Sequence, residues 1–146
     1  MSILKAFPDA HMDGFLDREA WQSMLEHEGL ACLPGAPMAP VLAAVGLLRR
    51  ADYQAQCGTL LVWESAGAGM SAAFRPYTGR APDDLALLLI AAPAELLTLC
   101  AQGLAQLPAM IRKGRLDPFI LKTMAQLEAA GLGDFIEALG LNFPVH

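Results

Sequence analysis

The chain has 146 residues, the length of one ordinary domain, and residues 1–146 read as a single globular unit. Charged residues make up only 17% and the AVILMFWYC set 55%, which excludes intrinsic disorder and leaves apolar surface beyond the needs of a small core. A formal charge of −5 argues against tight binding to nucleic acid, where phosphate neutralisation needs a basic face.

At the start of the chain, Lys5 and Asp9 interrupt any apolar stretch, so no secretory signal is expected. The first predicted helix opens at Asp17, an N-cap carboxylate, and closes at Gly29, which suits a left-handed C′ position. Leu16 and Trp21 have the spacing of a hydrophobic staple, and Trp21, Met24 and Leu25 share a face. Glu19, Glu26 and Glu28 form the other face; residues 1–30 hold six acidic and two basic side chains, an imbalance able to steer a basic protein partner. Residues 33–40 contain Pro34, Pro37 and Pro40 and form a stiff connector. From Val41 to Gln56 the apolar positions Val41, Leu42, Val45 and Leu48 follow helical spacing, and Gly58 stops the element.

The apolar run 59–64 fits either a buried strand or a helix segment by its periodicity; with the Gly-rich turn at 65–69 and a second run at 71–75, residues 59–75 are open to one small hairpin or to a helix. Residues 85–90 are apolar all round and follow Pro82, Asp83 and Asp84, which favour a helix start, so they read as a buried helix. Pro93 fits the first position of another helix, Pro108 marks a break, and Gly114 ends a short helical segment at 109–113. Asp117-Pro118 pairs an N-cap with an N1 proline and predicts a helix to residue 130 with Ile120, Met124 and Leu127 as its buried stripe. A short helix at 134–139 and an apolar tail at 141–146 complete the chain. The predicted fold is therefore mostly α: an irregular array of five to seven short helices, with room for one small β-hairpin near residues 59–75.

The chemistry-bearing residues are sparse. Asp9, His11 and Asp13 alternate as metal ligands could, but three donors within five residues close a coordination shell poorly without a further ligand. Glu26, His27 and Glu28 are consecutive on a helix and point apart, and Cys32 beside His27 offers only a loosely specified thiol–imidazole pair. The Gly-rich turn at 65–71 lacks the lysine of a phosphate-binding loop, and Arg112, Lys113 and Arg115 complement a helix C-terminus. Cys32, Cys57 and Cys100 are odd in number and widely spaced, the pattern of reduced thiols, which points to the cytoplasm. The uncharged run 96–111 is too short to span a bilayer, so no membrane segment is expected.

These residues specify no catalytic group, metal or cofactor. The apolar excess points instead to a non-enzymatic protein-interaction module: an accessory, adaptor or inhibitor subunit, or a homodimer joined through the leucine-rich second half, with Leu85, Leu89, Leu96 and Phe143 as candidate contact residues. The alternative is a domain binding a small apolar ligand or cofactor between helices, lined by Trp63, Phe74, Leu89 and Met124.

Overall fold

The computed structural model describes residues 14–30, 42–66, 69–129 and 137. A 3₁₀ turn at Gly14–Leu16 leads into helix α1 (Arg18–His27), followed by strand β1 (Leu42–Arg49), helix α2 (Arg50–Ala55), strands β2 (Gly58–Ala66), β3 (Gly69–Tyr77) and β4 (Leu87–Ala91). Helices α3 (Pro93–Gln102) and α4 (Leu107–Arg112), strand β5 (Leu116–Ile120) and helix α5 (Met124–Ala129) complete it. The strands form one mixed five-stranded sheet in the order β3-β2-β1-β4-β5, with β1 and β4 parallel and every other pair antiparallel.

This overturns the mostly α expectation: the fold is α/β, and the hairpin of β2 and β3 supplies two of its five strands. The error has a physical source. Strands β1 and β4 are the inner, parallel neighbours, covered on both faces, so they carry unbroken apolar runs rather than an alternating pattern. An unbroken run satisfies the helical template by default, as Leu42, Val45 and Leu48 do, although only Arg50–Ala55 of that stretch is helical. Likewise Leu87–Ala91 is a fully buried strand where a helix was predicted.

The third correction lies at Asp117-Pro118, which sits inside β5 rather than at a helix start. Helix α5 begins later, where the Thr123 hydroxyl accepts from the Gln126 amide (3.1 Å) and the Gln126 side chain accepts from the Thr123 amide (2.8 Å). That reciprocal pair is a capping box. Helix α1 has the predicted ends: Asp17 accepts from the Ala20 amide, and Gly29 adopts φ 75°, with Leu30 N–H donating to Leu25 and Gly29 N–H to Glu26 as in a Schellman motif. The staple partner differs, however. Phe15 is buried and packs edge-on against Trp21, whose indole N–H donates to the Phe15 carbonyl at 3.0 Å, whereas Leu16 is exposed. The connector at 33–40 and the tail at 141–146 lie outside the described residues.

The two sheet faces are covered differently. On one, Val45, Leu47, Leu61, Trp63, Leu87 and Leu89 pack with Trp21, Met24 and Leu25 of α1, Leu96 and Leu99 of α3, and Leu107 and Met110 of α4. On the other, Leu48, Leu60, Val62, Leu88 and Ile90 cluster with Tyr77, Leu85 and Ala81. Register explains the second cover. Strand β3 ends at Tyr77, opposite Gly58, while β4 begins at Leu87, level with Val45, Trp63 and Ala72, so the link 78–86 must run back across the sheet. It forms an irregular strap in place of a helix.

Gly46 is the socket for that strap. A Cβ built there would lie 2.9 and 3.0 Å from the Leu85 methyls and 3.2 Å from Leu60 Cδ1, so glycine lets Leu85 seat on the sheet where any larger residue would force those methyls to shift. Arg75 holds the strap electrostatically, reaching Glu64 at 2.9 Å and Asp84 at 3.0 Å, and Lys122 Nζ donates to the Asp83 carbonyl. The Asp84 hydrogen bond is the largest influence raising the Arg75 pKa, against an opposing desolvation and with help from Glu64.

Candidate interaction surface

Both outer strands carry unpaired ladder groups, which would invite strand addition unless blocked. On β3 the outward amides of Met70 and Ala72 donate to the Leu30 carbonyl (2.6 Å) and the Gln22 side chain (2.8 Å). The same alternation turns position 76 outward, and it is a proline with no N–H to offer. On β5 the Leu121 amide donates inward to Ala86, which places position 118 on the free side. It too is a proline. Neither edge is therefore an open template for backbone pairing.

The β5 side chains divide by alternation. Leu116 is buried and Ile120 packs against the helical-face cluster, while Asp117 and Phe119 lie opposite Ile90 and Leu88 on the strap face. Phe119 is 44% exposed, Leu121 40% and Met124 41%, three large apolar groups within six residues. The other exposed large apolar residues among those described, Leu16 and Tyr53, stand apart in sequence. Asp117 pairs with Arg50 at 3.1 Å at one end of the Phe119–Leu121 stretch, with its side chain still 51% exposed, and Lys122 stands at the other end.

The residues expected to form a contact surface are elsewhere. Leu85, Leu89 and Leu96 are fully buried, under the strap, in β4 and in α3, and Phe143 lies outside the described residues. Of the suggested ligand-lining residues, Trp63 and Leu89 are buried in the core, Phe74 packs at its margin and Met124 is exposed. Phe119 and Leu121 were hidden by the predicted helix at 117–130. The readable signal was the Thr123–Gln126 capping box, which sets the true helix start after them.

An open cleft of ≈ 290 Å³ lies between α1 and α3, lined by Ala20, Ser23, Met24, His27 and residues 100–103. It brings Cys100 and His27 to one place, but burial, with a smaller contribution from Asp17, pushes the Cys100 thiol up to about 11, so it is protonated and a poor nucleophile at neutral pH. Its volume lies at the lower end of the range for pockets that hold small molecules, and its lining is mixed rather than predominantly apolar. Among the described residues no group of three or more His, Cys, Asp or Glu is placed to hold a metal ion. Cys32 and the Asp9–His11–Asp13 set lie outside the described residues. Of the basic run, Arg115 pairs with Glu95 at 2.7 Å, and Arg112 and Lys113 are solvated.

No known protein family, curated protein or solved structure matches this chain.

Proposed function

We propose that this chain is a non-enzymatic protein-interaction domain of the cytosol, an accessory or regulatory partner that docks through β5 and the residues just after it. The observation that carries this reading is the exposure of Phe119, Leu121 and Met124 beside a strand edge whose outward amide is removed by Pro118. Large apolar side chains on an edge that cannot add a strand suit side-chain docking. The protonated thiol in the α1–α3 cleft weighs against nucleophilic catalysis there. A cytosolic setting accords with the free thiols Cys57 and Cys100, and among the described residues no helix is long and apolar enough to cross a membrane.

A photo-crosslinking amino acid placed in cells at position 119, with exposed Gln54 on α2 as the control position, tests this. The expected result is a discrete protein adduct at 119, absent at 54 and abolished by Leu121→Lys. No adduct at 119, or one indifferent to Leu121→Lys, overturns the proposal.

A further inference from the structure

The two covers of the sheet differ in what holds them. On the helical face, α1, α3 and α4 close over the larger apolar cluster, which includes both tryptophans. On the other face the strap covers Leu48, Leu60, Val62, Leu88 and Ile90 with a single large, fully buried side chain of its own, Leu85, while Thr78, Arg80 and Asp83 face solvent. Its backbone is held as sparsely. Among the described residues, Leu85 N–H donates to the Pro82 carbonyl (3.1 Å), a bond internal to the strap, and the Ala86 carbonyl accepts from Leu121 (2.8 Å) at its end.

We infer that the strap opens as a unit while the sheet and its helical face stay folded, and that Arg75 is its latch. Segments with few buried apolar anchors and few ladder hydrogen bonds open at lower free energy than the elements they cover. Arg75 reaches from β3 to Asp84 at 3.0 Å, with Glu64 at 2.9 Å as its second carboxylate. These side chains remain 24–37% exposed, so water and salt ions reach the latch. Lys122 grips the neighbouring Asp83 carbonyl, and both holds fall just before the Leu85 anchor, so release there frees the one side chain that seats the strap. Lifted, the strap bares an aliphatic sheet face that the closed form hides, and its release responds to ionic strength.

Val62 and Val45 provide a matched pair of reporters: both are fully buried, Val62 under the strap and Val45 under the helices. Val62→Cys and Val45→Cys are made separately in the full chain, and iodoacetamide labelling under native conditions is followed for each site by peptide mass spectrometry, with urea unfolding as the check on stability. The thiol at position 62 is expected to label about tenfold or more faster than the thiol at 45, because only the former is reached by lifting the strap. Its rate should rise several-fold between about 0.05 and 1 M sodium chloride, and by roughly tenfold with Arg75→Met. Amide exchange of the unsubstituted chain repeats the comparison, with Leu85 expected to exchange well before the amides of β4. Equal labelling at 62 and 45, or exchange of Leu85 together with β4, means that the strap leaves only in global unfolding and overturns the inference. A rate at 62 indifferent to salt or to Arg75→Met overturns the latch.

Discussion

Adding one methyl group at Gly46 should test how the strap seats on the sheet. In Gly46→Ala the new Cβ would stand 2.9 and 3.0 Å from the two methyls of Leu85 and 3.2 Å from Leu60, all inside ordinary contact distance. Overpacking of this kind costs roughly 1–3 kcal/mol, against which alanine in a strand regains about 0.5–1 kcal/mol over glycine. The net expectation is a loss of about 1–2 kcal/mol, or about 3–6 °C in Tm for a chain of this size. Leu85→Ala alone, at a fully buried site, should cost about 2–5 kcal/mol. The double variant is the informative one. With Leu85 shortened, the new methyl fills vacated space rather than clashing, so the double variant should be more stable than the sum of the singles by about 1 kcal/mol or more. Urea unfolding of the four proteins measures the coupling. Additivity within about 0.5 kcal/mol would show that Leu85 does not rest on Gly46, and the account of the strap would fail.

The same strap should depend on Arg75. Arg75→Met leaves Glu64 and Asp84 without their shared cation and should destabilise by about 1–2 kcal/mol, the modest end for a pair that water still reaches; urea midpoints equal to wild type would refute it. Cys100, with a thiol pushed up to about 11, should alkylate far more slowly at pH 8 than exposed Cys57, as mass spectrometry of iodoacetamide adducts would record. Because its folded pKa lies above the ordinary thiol value of 9.0, Cys100 contributes stability that is full below about pH 9 and lost as pH rises through about 11. Cys100→Ala should flatten that alkaline limb of the stability curve, and an unchanged limb would contradict the assignment.

What the sequence could reveal depended on whether a signal was local. Asp17 and Gly29 bound α1 through hydrogen bonds within a few residues of themselves, and Pro93 opens α3 because a proline at N1 needs no partner elsewhere. The hairpin of β2 and β3 likewise pairs neighbours in the chain. By contrast, Leu87–Ala91 is a strand because it lies between β1 and β5, a fact about the sheet that five apolar residues in a row cannot express. Pro118 was ambiguous for a related reason: a proline is equally suited to a first helical turn and to the free side of an edge strand, and only the pairing of Leu121 with Ala86 decides. The β5 surface followed from that decision. Once 116–120 is a strand, alternation sends Phe119 outward and Ile120 inward, the division that the helical reading had erased.

The parallel pairing of β1 with β4 also governs the order in which the chain can be completed. During synthesis the hairpin and β1 emerge together, but the flank of β1 that β4 will cover stays open until residues 87–91 arrive and the strap has closed behind them. A largely apolar strand with a bare flank is exposed to pairing with a neighbouring chain. The interval between residues 49 and 87 is thus the vulnerable window of biogenesis, the stage at which a nascent-chain holdase has most to protect.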